Sequence, residues 1–279
     1  MFKKIYYFYK SRGLINTLKQ IIKSVNSRIG IAIIFQDRKI VSGLAKSRKI
    51  FSKRKLKNND DGYWYVDPMP TSRELSNYYS LNYWGSVQEK NYGVSLRDLR
   101  HFYILNKTDP KFNTTKRKIL NFGAGHGGIS IILRLLGHEI VNIEPSNLID
   151  LFETDWKVHK NLDDIEDINF DLIYASHSLE HVRDINKLNK KFKTTSKKET
   201  IFFFEVPNGN HSECGPMEKR IEIPHTYYFR LEYFEKKFSE ILVSYCYSSK
   251  KAKNLSPKEF SLAIEKDGDC LLVVAKKII

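Results

Sequence analysis

Two stretches of the chain combine residue types that can do chemistry. In KILNFGAGHGGISIILRLLGHEIVNIEPS (118–146), an apolar run ends in Gly123-Ala124-Gly125-His126-Gly127-Gly128, and a helical pattern starts there. Glycines at such a turn let a ligand approach the backbone, and the first turn of a helix has free N–H groups. Glu144 lies 21 residues after Gly123, at the tip of the next strand. A carboxylate at that point can accept hydrogen bonds from both hydroxyls of a ribose. Gly123, Gly125 and Gly128 also fit G-x-G-x-x-G. The competing interpretation is a tight turn whose glycines serve packing alone. The second stretch, FDLIYASHSLEHV (170–182), ends a strand in Ser176-His177 and then carries Glu180 and His181; His225 follows in IPHTYYF. Histidine is the side chain best matched to taking a proton near neutral pH. His177-x-x-Glu180-His181 also spells an inverted zinc-peptidase pattern, which needs both histidines on one helix. Here the first histidine directly follows an apolar strand, which disfavours a peptidase.

The elements that must position these residues are legible as alternation. Lys118–Phe122, Glu139–Ile143, Phe170–Ala175 and Thr200–Val206 read as strands. His126–Leu136, a segment running to about Phe192, and Leu231–Phe238 read as helices. Ile241–Tyr247 and Cys270–Ala275 form a late strand pair, open to an antiparallel hairpin. Strands alternating with helices imply an α/β three-layer sandwich: a Rossmann-like, seven-stranded, mostly parallel sheet with a C-terminal antiparallel pair.

The chain has 279 residues, 41% of them apolar, enough for one large α/β domain with extensions. Its net charge of +15 is localised. Residues 1–60 hold sixteen Lys/Arg against two acids, and residues 61–279 hold 31 against 30. A near-neutral body argues against a groove that tracks a phosphate backbone, and no nucleic-acid partner is expected. Within residues 1–45, Leu14, Leu18, Ile21, Ile22 and Val25 recur at helical spacing among lysines, after an aromatic cluster. This basic amphipathic pattern suits an anionic membrane surface or packing on a protein face. Residues 46–61 read as a linker, so the expected organisation is 1–60 extension and linker, 61–115 cap, and 116–279 core. The three cysteines, Cys214, Cys246 and Cys270, are too widely spaced for a disulfide framework. No apolar run reaches the roughly 18–20 residues of a membrane span, and the expected location is cytoplasmic, with peripheral contact at the inner face of the membrane.

With those residues in view, the chain resembles class I S-adenosylmethionine-dependent methyltransferases. The 118–146 stretch resembles their first motif. FDLIYASHSLEHVRDINKL (170–188) is similar to their fourth strand and its loop, and FFFEVPNG (202–209) to their fifth. IPHTYYFRLEYFEKKF (223–238) is similar to a later His-plus-aromatic segment. YWYVDPMPTSRELSNYYSLNYW (63–84) resembles the Tyr-rich segment of a branch that modifies bacterial glycans, close to ubiquinone O-methyltransferases. The resemblance implies S-adenosyl-L-methionine as cofactor. It implies contacts from Asn121, Gly123, Ala124, Gly125, Gly127, Glu144 and Pro145, from Asn161 and Leu162 at the adenine, and from Ser176 and His177 near the sulfonium, with Tyr79 and Tyr83 as a cover. Asn121 departs from the family's usual acid. The resemblance further implies methylation of an oxygen on a sugar or lipid-linked glycan precursor of surface polysaccharide, with His225, His181 or His177 as base. No resident metal is assigned, although some ubiquinone-type relatives carry a metal near the Glu180-His181 position. The rivals are a nicotinamide-dependent oxidoreductase, which shares the glycine turn and distal acid, and a catalytically inactive adenosylmethionine-binding protein, motivated by Asn121.

Overall fold

Apolar runs with no polar face predict strands covered on both sides, and that is how the sheet is built. The computed structural model describes residues 54–81, 94–145, 156–166, 168–211 and 225–279, all within one compact unit, Gly43–Ile279. Its strands are β1 (Lys55–Asn59), β2 (Tyr63–Asp67), β3 (Lys118–Phe122), β4 (Glu139–Ile143), β5 (Lys157–His159), β6 (Phe170–Ser176), β7 (Ser196–Pro207), β8 (Tyr227–Phe229), β9 (Phe238–Tyr247) and β10 (Cys270–Ile278). The helices are α1 (Ser72–Leu81), α2 (Leu96–Thr108), α3 (Gly128–Leu135), α4 (Ile185–Thr194), α5 (Leu231–Lys237) and α6 (Ser249–Ala252). Seven strands form one sheet in the order β5-β4-β3-β6-β7-β10-β9. β3 to β7 run parallel, and β10 is antiparallel to both neighbours. This is the expected Rossmann-like architecture. The period of two divides the core: Phe202, Phe204 and Val206 of β7 join one buried cluster, while Ile201 and Phe203 join the other.

The chain leaves β3 toward β4 and β5, then returns to place β6 on the other side of β3. Such a reversal opens a crevice at the carboxyl ends of the two central strands. The glycine turn follows β3 and Ser176-His177 ends β6, so both chemical stretches converge there.

Three details depart from the sequence reading. Residues 55–59, read as linker, form β1, which pairs with β2; β2 pairs in turn with β8 in a separate three-stranded antiparallel sheet. The helix after β6 starts only at Ile185, where the Asp184 side chain accepts from Lys187 N at 2.9 Å. Before it, Thr226 donates through its N–H and hydroxyl to Glu180 O and through its hydroxyl to Val182 O. Those carbonyls are thus spent on a neighbouring segment rather than on a continuing helix. Phe238, read as the end of a helix, is extended and opens β9. The basic amphipathic pattern of residues 1–45 lies outside the described residues.

Candidate functional site

Gly123, Gly125 and Gly127 have φ of +73°, +55° and +71°, the left-handed region where a side chain costs energy. The turn is tied to β4: Gly123 N and Ala124 N both donate to Ile143 O, at 2.8 and 2.9 Å. Gly125 N donates to Glu144 Oε2 at 2.7 Å, so the acid lies against the elbow, buried at the strand tip. A Cβ on Gly123 would collide with Ser178, and one on Gly128 with the Asp98 carboxylate. A Cβ on Gly125 would meet no atom of the described residues within 4 Å. Gly123 and Gly128 therefore serve close packing, whereas Gly125 faces open space beside a buried carboxylate. That arrangement fits a nucleoside.

The other expected contacts are distributed as follows. Pro145 is exposed beyond Glu144. β5 lies alongside, with Glu144 N donating to His159 O at 2.9 Å; Asn161 follows it, exposed, and Leu162 is packed in the core. Asn121 is buried, and its amide donates to Ser130 Oγ on α3 and Asn142 Oδ1 on β4. Its Oδ1 is buried without a hydrogen-bond partner among the described residues, an acceptor left over at the base of the elbow. Tyr79 lies on α1 and Tyr83 beyond it; the first side chain and the whole of the second residue are outside the described residues.

Opposite the elbow stands a chain of ionisable groups. Ser176 Oγ donates to Glu205 Oε2 at 2.5 Å. His177, at φ +49°, stands 3.5 Å from Glu205 and 3.3 Å from Glu180. Burial works against its charge, but its contacts with Cys270 and Glu180 and the negative charges of Glu205 and Glu180 hold its pKa well above the usual histidine value. It is an imidazolium bridging two acids. Glu180 is 1% exposed; burial opposes its charge, yet the contact with the His177 ring, first among its histidine neighbours, brings its pKa down to about 2. Neither of its oxygens has an aligned hydrogen-bond donor, so the His177 contact is one of charge. His181 Nε2 stands 3.8 Å from Glu180, and its ring lies edge-on to that of His225, centroids 4.9 Å apart. Burial above all pushes His225 down to about 3, so it is neutral. One donor atom from each of Glu180, His181 and His225 lies within 4.8 Å of the others, a set able to hold a divalent ion.

Sequence reasoning missed three contributors. Glu205 is fully buried and accepts from Ser176, Tyr247 and His101, the last at 3.0 Å. Its signal was an acid inside the apolar run FFFEV. Arg97 and Asp98 open α2, and Ser95 and Asp98 form the capping box. The signal there was Ser-x-x-Asp ahead of an apolar helix. Arg97 is solvent-accessible but hemmed in, its charge set against Glu205 and Asp98.

The sequence model of a family described as "Methyltransferase domain" matches residues 89–241, more than half of the chain. No curated protein sequence matches. Among solved structures, the chain is similar to an S-adenosylmethionine-dependent methyltransferase from Mesorhizobium loti at 16% identity and a TM-score of 0.48, covering 66% of this chain and 100% of that one. It is also similar to one from Archaeoglobus fulgidus at 17% identity and a TM-score of 0.44, covering 70% and 100%. The family match runs through the elbow, both central strand tips and the histidine cluster. The chain therefore belongs to the methyltransferase-domain family, as a class I enzyme that takes its methyl group from S-adenosylmethionine.

Proposed function

We propose that the enzyme methylates an oxygen of a sugar, or of a sugar-linked precursor of a bacterial surface polysaccharide. The observation that carries the reading is the His181–Glu180 pair beside the crevice. A hydroxyl acceptor must lose a proton as its oxygen is methylated. His177 already holds a proton between two carboxylates, and His225, pushed to about 3, is too weak a base near neutral pH. His181 then takes the proton, and Glu180 stabilises the imidazolium that forms. When bound, S-adenosylmethionine supplies a methyl carbon activated by positive sulfur. The chain's task is to align the acceptor and exclude water. Glu144 and the elbow hold the ribose side, and Arg97 meets the methionine carboxylate. Purified enzyme with S-adenosylmethionine and a panel of sugars, nucleotide sugars and lipid-linked saccharides tests this by mass spectrometry. A saccharide that gains one CH2 unit supports it; amines methylated in place of every saccharide would overturn it.

A second reading is favoured by the two unbonded oxygens of Glu180 among His181 and His225. A divalent ion there would bind the acceptor oxygen and lower its pKa, replacing the base. Dialysis against chelator followed by Mg2+, Mn2+ or Zn2+ separates the two: activity that disappears and returns with metal favours the ion. The basic extension, residues 1–45, is read as a contact to anionic membrane where lipid-linked precursors reside. Flotation with anionic vesicles, with and without those residues, tests it; equal recovery would remove the idea.

A further inference from the structure

The small sheet β1-β2-β8 lies largely outside the residues matched by the methyltransferase family, since β1 and β2 precede residue 89. It forms one wall of a pocket of about 300 Å³ that is separate from the elbow. Tyr65 and Tyr227 are direct cross-strand partners on that wall, and Asn59, Asp67, Arg183 and Asp184 complete the rim. The Tyr227 hydroxyl is spent, accepting from Ile185 N and donating to Arg183 O. The Tyr65 hydroxyl, the terminal nitrogens of Arg183 and Asp184 Oδ2 have no hydrogen-bond partner among the described residues; Arg183 uses only Nε, on Pro70 O, and Asp184 only Oδ1, as the cap of α4.

The geometry points to a saccharide subsite in this pocket, holding the sugar unit next to the one that is methylated. This inference rests on the sugar reading above and names where the acceptor is gripped. An aromatic ring beside a carboxylate, an amide and a guanidinium is the chemistry of a pyranose: C–H groups on the ring, paired hydroxyls on planar polar groups. The volume sits at the lower bound of ligand pockets, roughly 300 Å³, which suits one ring. Asp67 and Asp184 disfavour a phosphate, and Lys57 is already paired with Asp67 at 2.7 Å. The pocket is joined to the histidine cluster by two short segments. Arg183 follows His181 by two residues, Tyr227 follows His225 by two, and Thr226 ties the segments together. Two residues span at most about 7 Å, so the Cα atoms of Arg183 and Tyr227 lie within about one sugar unit of those of His181 and His225.

The test is saturation-transfer NMR of the full chain with glucose, galactose, N-acetylglucosamine and rhamnose, singly and as methyl glycosides. Tyr65→Ser removes the ring, and Asp184→Asn removes the charge while keeping a capping side chain. The expected result is transfer to the ring C–H groups of at least one sugar. Its affinity falls tenfold or more in both variants, while S-adenosylhomocysteine binding, which reports an intact fold, is unchanged. No transfer from any sugar, or equal transfer in both variants with cofactor binding intact, overturns the subsite. The acceptor screen is read separately. A saccharide methylated with no dependence on Tyr65 and Asp184 overturns the subsite and leaves sugar methylation standing. Tyr65-dependent sugar binding with only amines methylated supports the subsite and overturns sugar methylation.

Discussion

Replacing Gly125 with alanine separates what the elbow does for the fold from what it does for the ligand. Gly125 has φ +55°, so an L side chain there costs about 1–2 kcal/mol. For a domain of this size that lowers Tm by roughly 2–8 °C. No atom of the described residues stands within 4 Å of the new Cβ, so backbone strain is the stability cost expected there. The methyl group instead projects into the space beside Glu144, where the ribose would pass. Forcing one carbon into a filled site costs about 1–3 kcal/mol, equivalent to roughly 5- to 150-fold in affinity. Calorimetric titration with S-adenosylhomocysteine reads this directly, with thermal denaturation as the fold control. Gly123→Ala is the counter-experiment. Its Cβ would be driven into Ser178 at φ +73°, so it loses more stability than Gly125→Ala. If Gly125→Ala melts as expected yet binds within twofold of wild type, the cofactor does not pass this glycine and the pocket assignment is wrong.

Three further outcomes follow from the ionisable cluster. His181→Gln should lower kcat about 10²- to 10⁴-fold with cofactor affinity unchanged, read by single-turnover methyl transfer; a wild-type rate would remove it as base. His177→Gln leaves Glu180 and Glu205 without their bridge and should cost about 2 kcal/mol at pH 6. That is less than a fully buried pair, because the ring is 32% exposed. The His177 pKa is raised on folding, so its contribution is complete below the unfolded value of about 6.5 and is lost as pH rises through the folded value; the gap between variant and wild type must narrow at alkaline pH. His225, pushed down to about 3, titrates the other way: wild type should lose stability as pH falls from about 6.5 toward 3, and His225→Gln should flatten that slope in pH-dependent melting.

The two chemical stretches differ in how much of them could be read along the chain. β3 and β4 were legible to the residue, because each is a short run with three apolar residues among five, bounded by polar or glycine positions, and Glu144 followed from strand length. β1 and β8 were hidden: they are short, and β1 alternates lysines with leucine and asparagine, a pattern that composition alone reads as solvated linker. The delayed start of α4 was hidden for a different reason, since Thr226 that holds the preceding turn lies 46 residues from Glu180. Glu205 and His101 are 104 residues apart, and no local period relates them. The contributors from α2 were within reach of the capping-box signature, but their position over the crevice comes from packing of α2 against α3, which sequence spacing does not encode.

What the buried acids contribute is clearest from the charge they carry together. Two carboxylates below ordinary exposure, with a histidine between them at positive φ, are costly to fold and contribute little apolar burial. Glu205 is held ionised: burial opposes it, and His101, His177 and Arg97 outweigh that. In the resting crevice, Arg97 and the His177 imidazolium stand against Glu205, and His177 also against Glu180. On the proposed reading, proton uptake by His181 adds one positive charge as the positive charge of the sulfonium is discharged. The net charge facing the low-dielectric interior is then the same before and after transfer, and the proton arrives beside a carboxylate that has no other hydrogen bond to give up. A base placed without Glu180 would have to create a buried unpaired cation. The cost of burying Glu180 in the resting protein is thus recovered at the step where the acceptor loses its proton.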